Sequence, residues 1–326
     1  MEFFFLVSGY LMAAYEDRLC QPGEAERIGS DTAVYIFRRV KSLYPYLTFA
    51  VVVNFLGWQL FRDGMLFDPR SCGGLKYFVS GLLNFIFPYS LGFQDYYYLG
   101  YSWYLSAMIW GMMILFPLLR HKRNLFYCVI APLLAGLGLG YYSWHYSMLG
   151  YIGTDKYLFS AGLIRGIAEL SMGCLCYKFS QKLQGLLTGT GKVLLTVLEV
   201  LCLAVVAYRV IFYQPNGVLD YIIFFLIAVI VAVAFSEQSL LTFRISSKWS
   251  SFLGKFTLAV YLNSNAWSYM TARAWPEMSY WKATAIYVCL TLVTALLCMA
   301  VCGGLQRLWG TGWKEKICGV LLITED

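Results

Sequence analysis

The chain has 326 residues and a formal net charge of +7, and 60% of its residues are hydrophobic while only 13% are charged. Soluble domains carry about 25% charged residues, and no interior of this size could bury so much apolar side chain. The composition therefore excludes a soluble globular protein. It predicts an all-α, polytopic transmembrane helical bundle, because the apolar runs are continuous and do not alternate as in a β-barrel. One membrane domain over residues 1–326 accounts for the whole length.

The first apolar run is short. About 13 residues, Phe3 to Tyr15, precede the first charged cluster, whereas a helical span needs about 20. The run also lacks the charged flank and the cleavage site of a signal peptide. We therefore expect it to be the later part of a longer feature, with a further helix upstream.

Ten apolar runs follow one another, and the basic residues lie in the short segments between them. This positive-inside pattern argues against a nucleic-acid partner and places the basic segments and the C-terminus in the cytoplasm of a multi-pass protein of the cell membrane. Three runs lie between Lys41 and Arg120, where the orientation requires an even number of spans. The weakest of the three is therefore predicted to be interfacial or re-entrant, which leaves nine spans. The runs are 3–15, 43–61, 75–92 (the interfacial one), 103–119, 124–142, 160–178, 192–212, 218–236, 252–270 and 283–305.

Two ionisable residues, Arg165 and Glu169, stand four positions apart on one face of the 160–178 run. Charges at membrane depth are costly, so they usually face a cavity or a partner. Two hypotheses remain open: a contact for an anion or a sugar near the outer side of a cavity, or a structural ion pair that fixes helix packing. Glu199 and Arg209 lie about 15 Å apart along one helix, too far to pair with each other, and we expect structural roles for both.

The remaining polar and aromatic residues give weaker signals. The ten cysteines are scattered without a Cys-x-x-Cys pair, so we interpret them as packing residues and predict no metal site. His121 lies in a basic segment. His145 lies in an aromatic cluster at the outer rim, which favours an interfacial belt over a general base. The aromatic residues 96–98, Trp103 and Tyr104 could form such a belt or a stacking surface for a sugar.

Four short segments carry recognisable motifs in a fixed order, namely Phe3–Leu11, Phe37–Pro45, Trp103–Ser106 and Leu253–Leu262. In that order they resemble the "FFxxSGFL", "RRxxRxxP", "WYLS" and "LGxxSYxxYLxH" segments of the acyltransferase-3 family of bacterial integral-membrane O-acyltransferases. Each motif is weak by itself, but together they cover most of the chain at plausible spacing.

The resemblance implies a ten-helix fold that transfers an acyl group, often acetyl from cytoplasmic acetyl-CoA, to a carbohydrate hydroxyl at the outer face. Arg38, Arg39 and Lys41, in the first cytoplasmic loop, are then expected to hold the phosphates of acyl-CoA, since arginine binds phosphate bidentately. The alternative is that these residues are ordinary positive-inside anchors. The residues expected to bind the acceptor are Trp103, Tyr104, Arg165 and Glu169.

The chain departs from the family pattern at three places. The family's first helix carries an arginine and, after about ten residues, the histidine taken as the catalytic base, and both would precede Phe3. Ser42 stands at the second arginine of the loop motif, and Ser264 at the late histidine, where it is a weak candidate nucleophile without an identifiable base. We therefore expect the chain by itself to be inactive. A transporter or flippase for a lipid-linked sugar and a non-catalytic relative of the enzyme remain alternative functions.

Overall fold

The computed structural model describes residues 2–19, 27–62, 78–79, 81–83, 103–146, 161–184, 189–212, 217–241, 247–274 and 277–310. Over these ranges the chain is helical and contains no strand, which confirms the all-α prediction. The helices are α1 (Glu2–Leu19), α2 (Ile28–Arg62), α3 (Trp103–His121), α4 (Arg123–Leu125, a π-helical segment Phe126–Ile130, and Ala131–Tyr146), α5 (Ala161–Leu183), α6 (Gly189–Ile211), α7 (Gly217–Ala234), α8 (Ser247–Ala274) and α9 (Tyr280–Gly310).

These helices coincide with nine of the ten predicted apolar runs. Most of the helices are longer than the run they contain, because they continue into the polar residues that flank it. Within the described residues, four helical segments are long and apolar enough to cross a membrane, namely Trp103–His121, Arg123–His145, Gly189–Ile211 and Tyr280–Leu305. Others, such as α5, carry charged residues inside the helix. The predicted interfacial run 75–92 lies largely outside the described residues, and the count of nine spans remains a prediction.

The first basic segment is helical, which corrects the prediction of a loop at Arg38, Arg39 and Lys41. All three residues lie inside α2, which runs without a break from Ile28 to Arg62. Arginine and lysine are good helix formers, so the basic residues do not end the helix. Pro45, which lacks a backbone N–H, is accommodated within it.

The chain forms two compact units. The first unit contains α1, the first part of α2 up to Arg39, and α3 to α7; the second contains the rest of α2 with α8 and α9. In the first unit α5 is central, because it packs against α1, α3, α4 and α7. In the second unit α8 packs against α9, where the Trp267 Nε1–H donates to the Thr294 hydroxyl at 2.8 Å.

Glycine allows α1 and α5 to approach closely. A Cβ placed at Gly9 would overlap the carbonyl oxygen of Leu170, and one placed at Gly173 would overlap that of Leu6. Small residues at such a crossing are typical of helices packed in lipid, where close backbone contact replaces the hydrophobic drive. This crossing sets the register between α1 and α5, on which the polar clusters described next depend.

Candidate functional site

The first polar cluster surrounds Arg165 near the start of α5. The Arg165 guanidinium donates from Nε to Glu169 Oε1 at 2.6 Å and from Nη2 to Glu2 Oε1 at 2.5 Å. The side chains of Arg165 and Glu169 are 3% and 0% exposed, and that of Glu2 is 27% exposed. The predicted pairing of Arg165 with Glu169 along one helix face is therefore present, and Glu2 of α1 is a second carboxylate on the same guanidinium.

Aromatic residues enclose this cluster. The Arg165 guanidinium carbon lies 5.6 Å from the centroid of the Trp103 ring, a cation–π arrangement, and Tyr142 of α4 lies beside the same guanidinium. Tyr104 packs against the Phe5 ring at 5.6 Å in an edge-to-face contact. We call Glu2, Trp103, Tyr142, Arg165 and Glu169 the Arg165 cluster; its members come from α1, α3, α4 and α5.

Glu169 Oε2, an acceptor, and Trp103 Nε1, which carries a proton to donate, are buried in the Arg165 cluster, and the described residues offer neither atom a hydrogen-bond partner. Each belongs to a side chain in contact with the same guanidinium. Buried polar atoms are nearly always bonded, so these two point to a partner that the described residues do not supply.

A second polar cluster lies at the other end of the same helices. Arg120, at the end of α3, contacts Glu16 at 3.9 Å and Asp31 at 3.2 Å. Arg123, at the start of α4, contacts Glu16 at 3.7 Å and pairs with Asp17. The Glu16 side chain is 0% exposed, so the two arginines share a fully buried carboxylate. We call Glu16, Asp17, Asp31, Arg120 and Arg123 the Arg120 network.

Asp17 extends this network to α5. Its Oδ2 accepts hydrogen bonds from the Tyr177 hydroxyl at 2.6 Å and from Gln181 Nε2 at 3.2 Å. Partial burial raises the pKa of Asp17, but the hydrogen bonds from Tyr177 and Arg123 and the charge of Arg123 outweigh it, so the net pKa lies below its ordinary value. Asp17 is thus held as a carboxylate at neutral pH.

Two of the predicted donor-binding residues, Arg38 and Arg39, contact aromatic side chains of the first unit. Arg38 is exposed, and its Nη1 donates to the Tyr15 hydroxyl at 3.3 Å. The Arg39 guanidinium lies 5.8 Å from the Tyr35 ring centroid. Lys41 follows on the same helix and is partly exposed. Among the described contacts, neither Arg38 nor Arg39 forms an ion pair with an acidic residue of the Arg120 network. Both guanidinium groups therefore keep their positive charge available.

The two clusters are separated along the helix axes. Glu2 and Glu16 belong to one continuous helix, α1, and the 1.5 Å rise per residue places them about 21 Å apart. The exposed cations lie near the end of α1 that carries Glu16. The buried residues Trp103, Arg165 and Glu169 lie near the end that carries Glu2. We refer to these as the Arg120 end and the Arg165 end.

Neither Ser264 nor either histidine is a member of the two clusters. The Ser264 hydroxyl donates to the carbonyl of Tyr261 in its own helix at 2.9 Å, and Ser264 belongs to the second unit. His121 and His145 are exposed, and the His145 ring lies 4.3 Å from the Tyr141 ring. The aromatic residues 96–98 lie outside the described residues.

Sequence analysis did not predict the long-range partners. The segment from Arg120 to Arg123 was interpreted as a basic loop, yet Arg120 is 6% exposed and ion-paired. Arg209, assigned a structural role without a partner, pairs with Asp220 at 3.6 Å. The available signal was the acidic pair Glu16 and Asp17 at the end of an apolar run, since carboxylates there require cationic neighbours.

Long apolar helices, together with buried ion pairs between helices such as Arg120–Glu16, are typical of an α-helical membrane protein. Residues 1–303 match the acyltransferase-3 family model, which is described as an acyltransferase domain, and the chain belongs to this family of membrane acyltransferases. No curated protein and no solved structure matches the chain.

Proposed function

We propose that the protein transfers an acyl group, ordinarily acetyl, from acyl-CoA to a hydroxyl of a cell-surface glycan or its precursor. The observation that supports this most is the separation of two chemically different sites in one helix bundle: exposed cations at the Arg120 end, and a buried polar cluster about 21 Å away at the Arg165 end. An anionic donor and a hydroxyl-bearing acceptor require such different surroundings.

The cationic residues fit the donor. Coenzyme A carries phosphate and diphosphate groups, for which arginine offers planar, bidentate hydrogen bonds. Arg38 is exposed and bonded to a neutral hydroxyl, and Arg39 is stacked on an aromatic ring, so both guanidinium groups keep donors for a phosphate. We propose that Arg38, Arg39 and Lys41 hold these phosphates at the cytoplasmic surface.

The reaction joins the acceptor oxygen to the acyl carbon. The hydroxyl oxygen attacks the thioester carbonyl, the carbon–sulfur bond breaks, and the hydroxyl proton leaves with the CoA thiol. A base near neutral pH must take up that proton, and the family resemblance assigns this role to a histidine. Ser264 remains a weak candidate nucleophile, which the Ser264→Ala variant tests.

A transfer assay with a matched pair of variants tests the proposal. Membranes containing this chain, or the chain extended by the reading frame upstream of Met1, are given radiolabelled acetyl-CoA, and the label in glycan is counted. We expect Arg38→Gln/Arg39→Gln to raise the KM for acetyl-CoA about tenfold or more, because two charge-assisted contacts are lost. The control is Lys122→Gln, an exposed lysine between α3 and α4, which should change this KM less than twofold.

Three outcomes separate the functions. Activity only in the extended form supports the enzyme and places its base upstream. Absence of transfer from both folded forms contradicts the enzyme and favours the transporter or the non-catalytic relative. Equal KM values in the double variant and the control would contradict the assignment of the donor site while leaving the activity intact.

A further inference from the structure

The Arg165 cluster has a buried acceptor and a buried donor for which the described part of the chain offers no partners. Glu169 Oε2 and Trp103 Nε1 both belong to groups in contact with the Arg165 guanidinium, and Glu169 and Trp103 are 0% and 2% exposed. We infer that the cluster binds an uncharged hydroxyl group, which donates to Glu169 Oε2 and accepts from the Trp103 Nε1–H. This inference rests on the proposed function, since it specifies the acceptor.

Two carboxylates already occupy the one guanidinium of the cluster, which disfavours an anion as ligand. Glu2 and Glu169 lie 2.5 and 2.6 Å from the Arg165 guanidinium. An incoming carboxylate or phosphate would meet repulsion, and Arg165 has already committed its Nε and one Nη to the protein. Of the sequence-based alternatives, a sugar therefore fits this site better than an anion.

The two unpartnered atoms also argue against a cation. The Trp103 Nε1–H can only donate, so it needs an acceptor, which an ammonium group or a metal ion does not provide. The adjacent Arg165 guanidinium would repel a cation further. A hydroxyl both donates and accepts, so one such group, or two neighbouring hydroxyls of a sugar, can satisfy both atoms.

A water molecule offers the same hydrogen-bonding chemistry as a sugar hydroxyl. Added glycoside distinguishes a bound water molecule from a bound sugar hydroxyl, because only a site that accepts a sugar hydroxyl binds methyl glucoside. Among the ion-paired side chains of the cluster, that of Glu2 is 27% exposed, whereas those of Arg165 and Glu169 are 3% and 0% exposed.

The experiment measures acetyl transfer to methyl glucoside by the extended form and, independently, the thermal stabilisation of the purified chain by methyl glucoside. The variants are Glu169→Gln and Trp103→Phe. The controls are Asp220→Asn, which removes a carboxylate from the Arg209 ion pair outside the cluster, and Trp144→Phe, which alters a tryptophan that is 87% exposed. Gel filtration checks that each variant is folded.

We expect Glu169→Gln to raise the KM for methyl glucoside about 10- to 100-fold and Trp103→Phe about 2- to 10-fold, the range for a charged and a neutral hydrogen bond. The KM for acetyl-CoA should stay unchanged, and stabilisation by methyl glucoside should be lost in Glu169→Gln. Glucuronate, an anionic sugar, should stabilise the wild-type protein at least tenfold more weakly than the neutral glycoside does.

Several results would overturn the inference. Unchanged KM and unchanged stabilisation in both folded variants would show that the cluster holds only water. Equal stabilisation by glucuronate would contradict the preference for an uncharged ligand over an anion. If Glu169→Gln does not fold, Trp103→Phe decides the matter alone. Stabilisation by methyl glucoside that Trp103→Phe weakens, without transfer activity in either the given or the extended form, would support the site and contradict the proposed function.

Discussion

At the scale of the residue, Arg165 shows how a buried charge constrains its neighbours. Its guanidinium pairs with two carboxylates, so Arg165→Gln removes the cation that both Glu2 and Glu169 contact. Breaking a buried ion pair costs about 3–5 kcal/mol, and we expect a loss of this size. Arg209→Gln is the matched control, because Arg209 pairs with one carboxylate at 3.6 Å and its side chain is 14% exposed. Thermal unfolding in detergent should rank Arg165→Gln well below Arg209→Gln, and equal losses would contradict the argument.

Part of this site was predictable from the sequence. The spacing of Arg165 and Glu169 predicted their pairing, because residues four apart meet on one helix face. Glu2 was not predictable, since its contact with Arg165 depends on how α1 crosses α5. The same limit applies to Arg120, whose partners Glu16 and Asp31 lie on two other helices. Local periodicity determines contacts within a helix, whereas contacts between helices follow from packing.

Asp17 makes stability depend on pH. Its folded pKa lies below the ordinary value of 3.8, mainly because hydrogen bonds from Tyr177 and Arg123 outweigh the effect of burial. The stabilisation by this carboxylate is therefore complete above the unfolded pKa and is lost as the pH falls through the folded pKa. We expect the melting temperature of the wild-type protein to fall more steeply than that of Asp17→Asn when the pH is lowered from about 5 to below 4. Parallel curves would show that Asp17 does not contribute.

At the scale of the element, the contact between α1 and α5 depends on two glycines. The motif that carries Ser8 and Gly9 suggested the family, but its physical reason is the close approach of the Gly9 backbone to Leu170. A helix formed by these residues could be predicted from the apolar run. The helix that packs against it could not be predicted, because small residues indicate a close crossing but do not identify the partner helix.

The Gly9→Ala variant tests this crossing. The added Cβ would overlap the Leu170 carbonyl oxygen. Because the overlapping atom belongs to the backbone, relieving the clash requires a shift of the helices, and we expect destabilisation of about 1–3 kcal/mol. Gly136→Ala is the control, since nothing lies within 4 Å of its Cβ position in α4 and alanine favours a helix by about 1 kcal/mol. Melting temperatures in detergent should move in opposite directions. A Gly9→Ala protein as stable as the wild type would show that α1 and α5 do not cross this closely.

At the scale of the whole molecule, charge is distributed unequally between the two ends of the first unit. At the Arg120 end, Arg38 and Lys122 are exposed to the surroundings. At the Arg165 end, Arg165 and Arg209 are each paired with acidic residues. Unpaired basic residues remain on the cytoplasmic side of membrane proteins. The paired arginines add little net positive charge, so the asymmetry supports the same orientation that the sequence predicts.

The orientation can be measured with single cysteines at the two ends of α4. Lys122→Cys lies just before this helix, and Trp144→Cys lies in its last turn on a side chain that is 87% exposed. About 22 residues separate the two positions, enough to reach opposite faces of the hydrocarbon core at 1.5 Å per residue. Because the chain has ten native cysteines, labelling by a membrane-impermeant maleimide is measured relative to the unsubstituted chain. In intact cells only Trp144→Cys should gain label, and lysis should add label at Lys122→Cys. The reverse pattern would place the Arg120 end outside and would separate Arg38 and Arg39 from any cytoplasmic acyl-CoA.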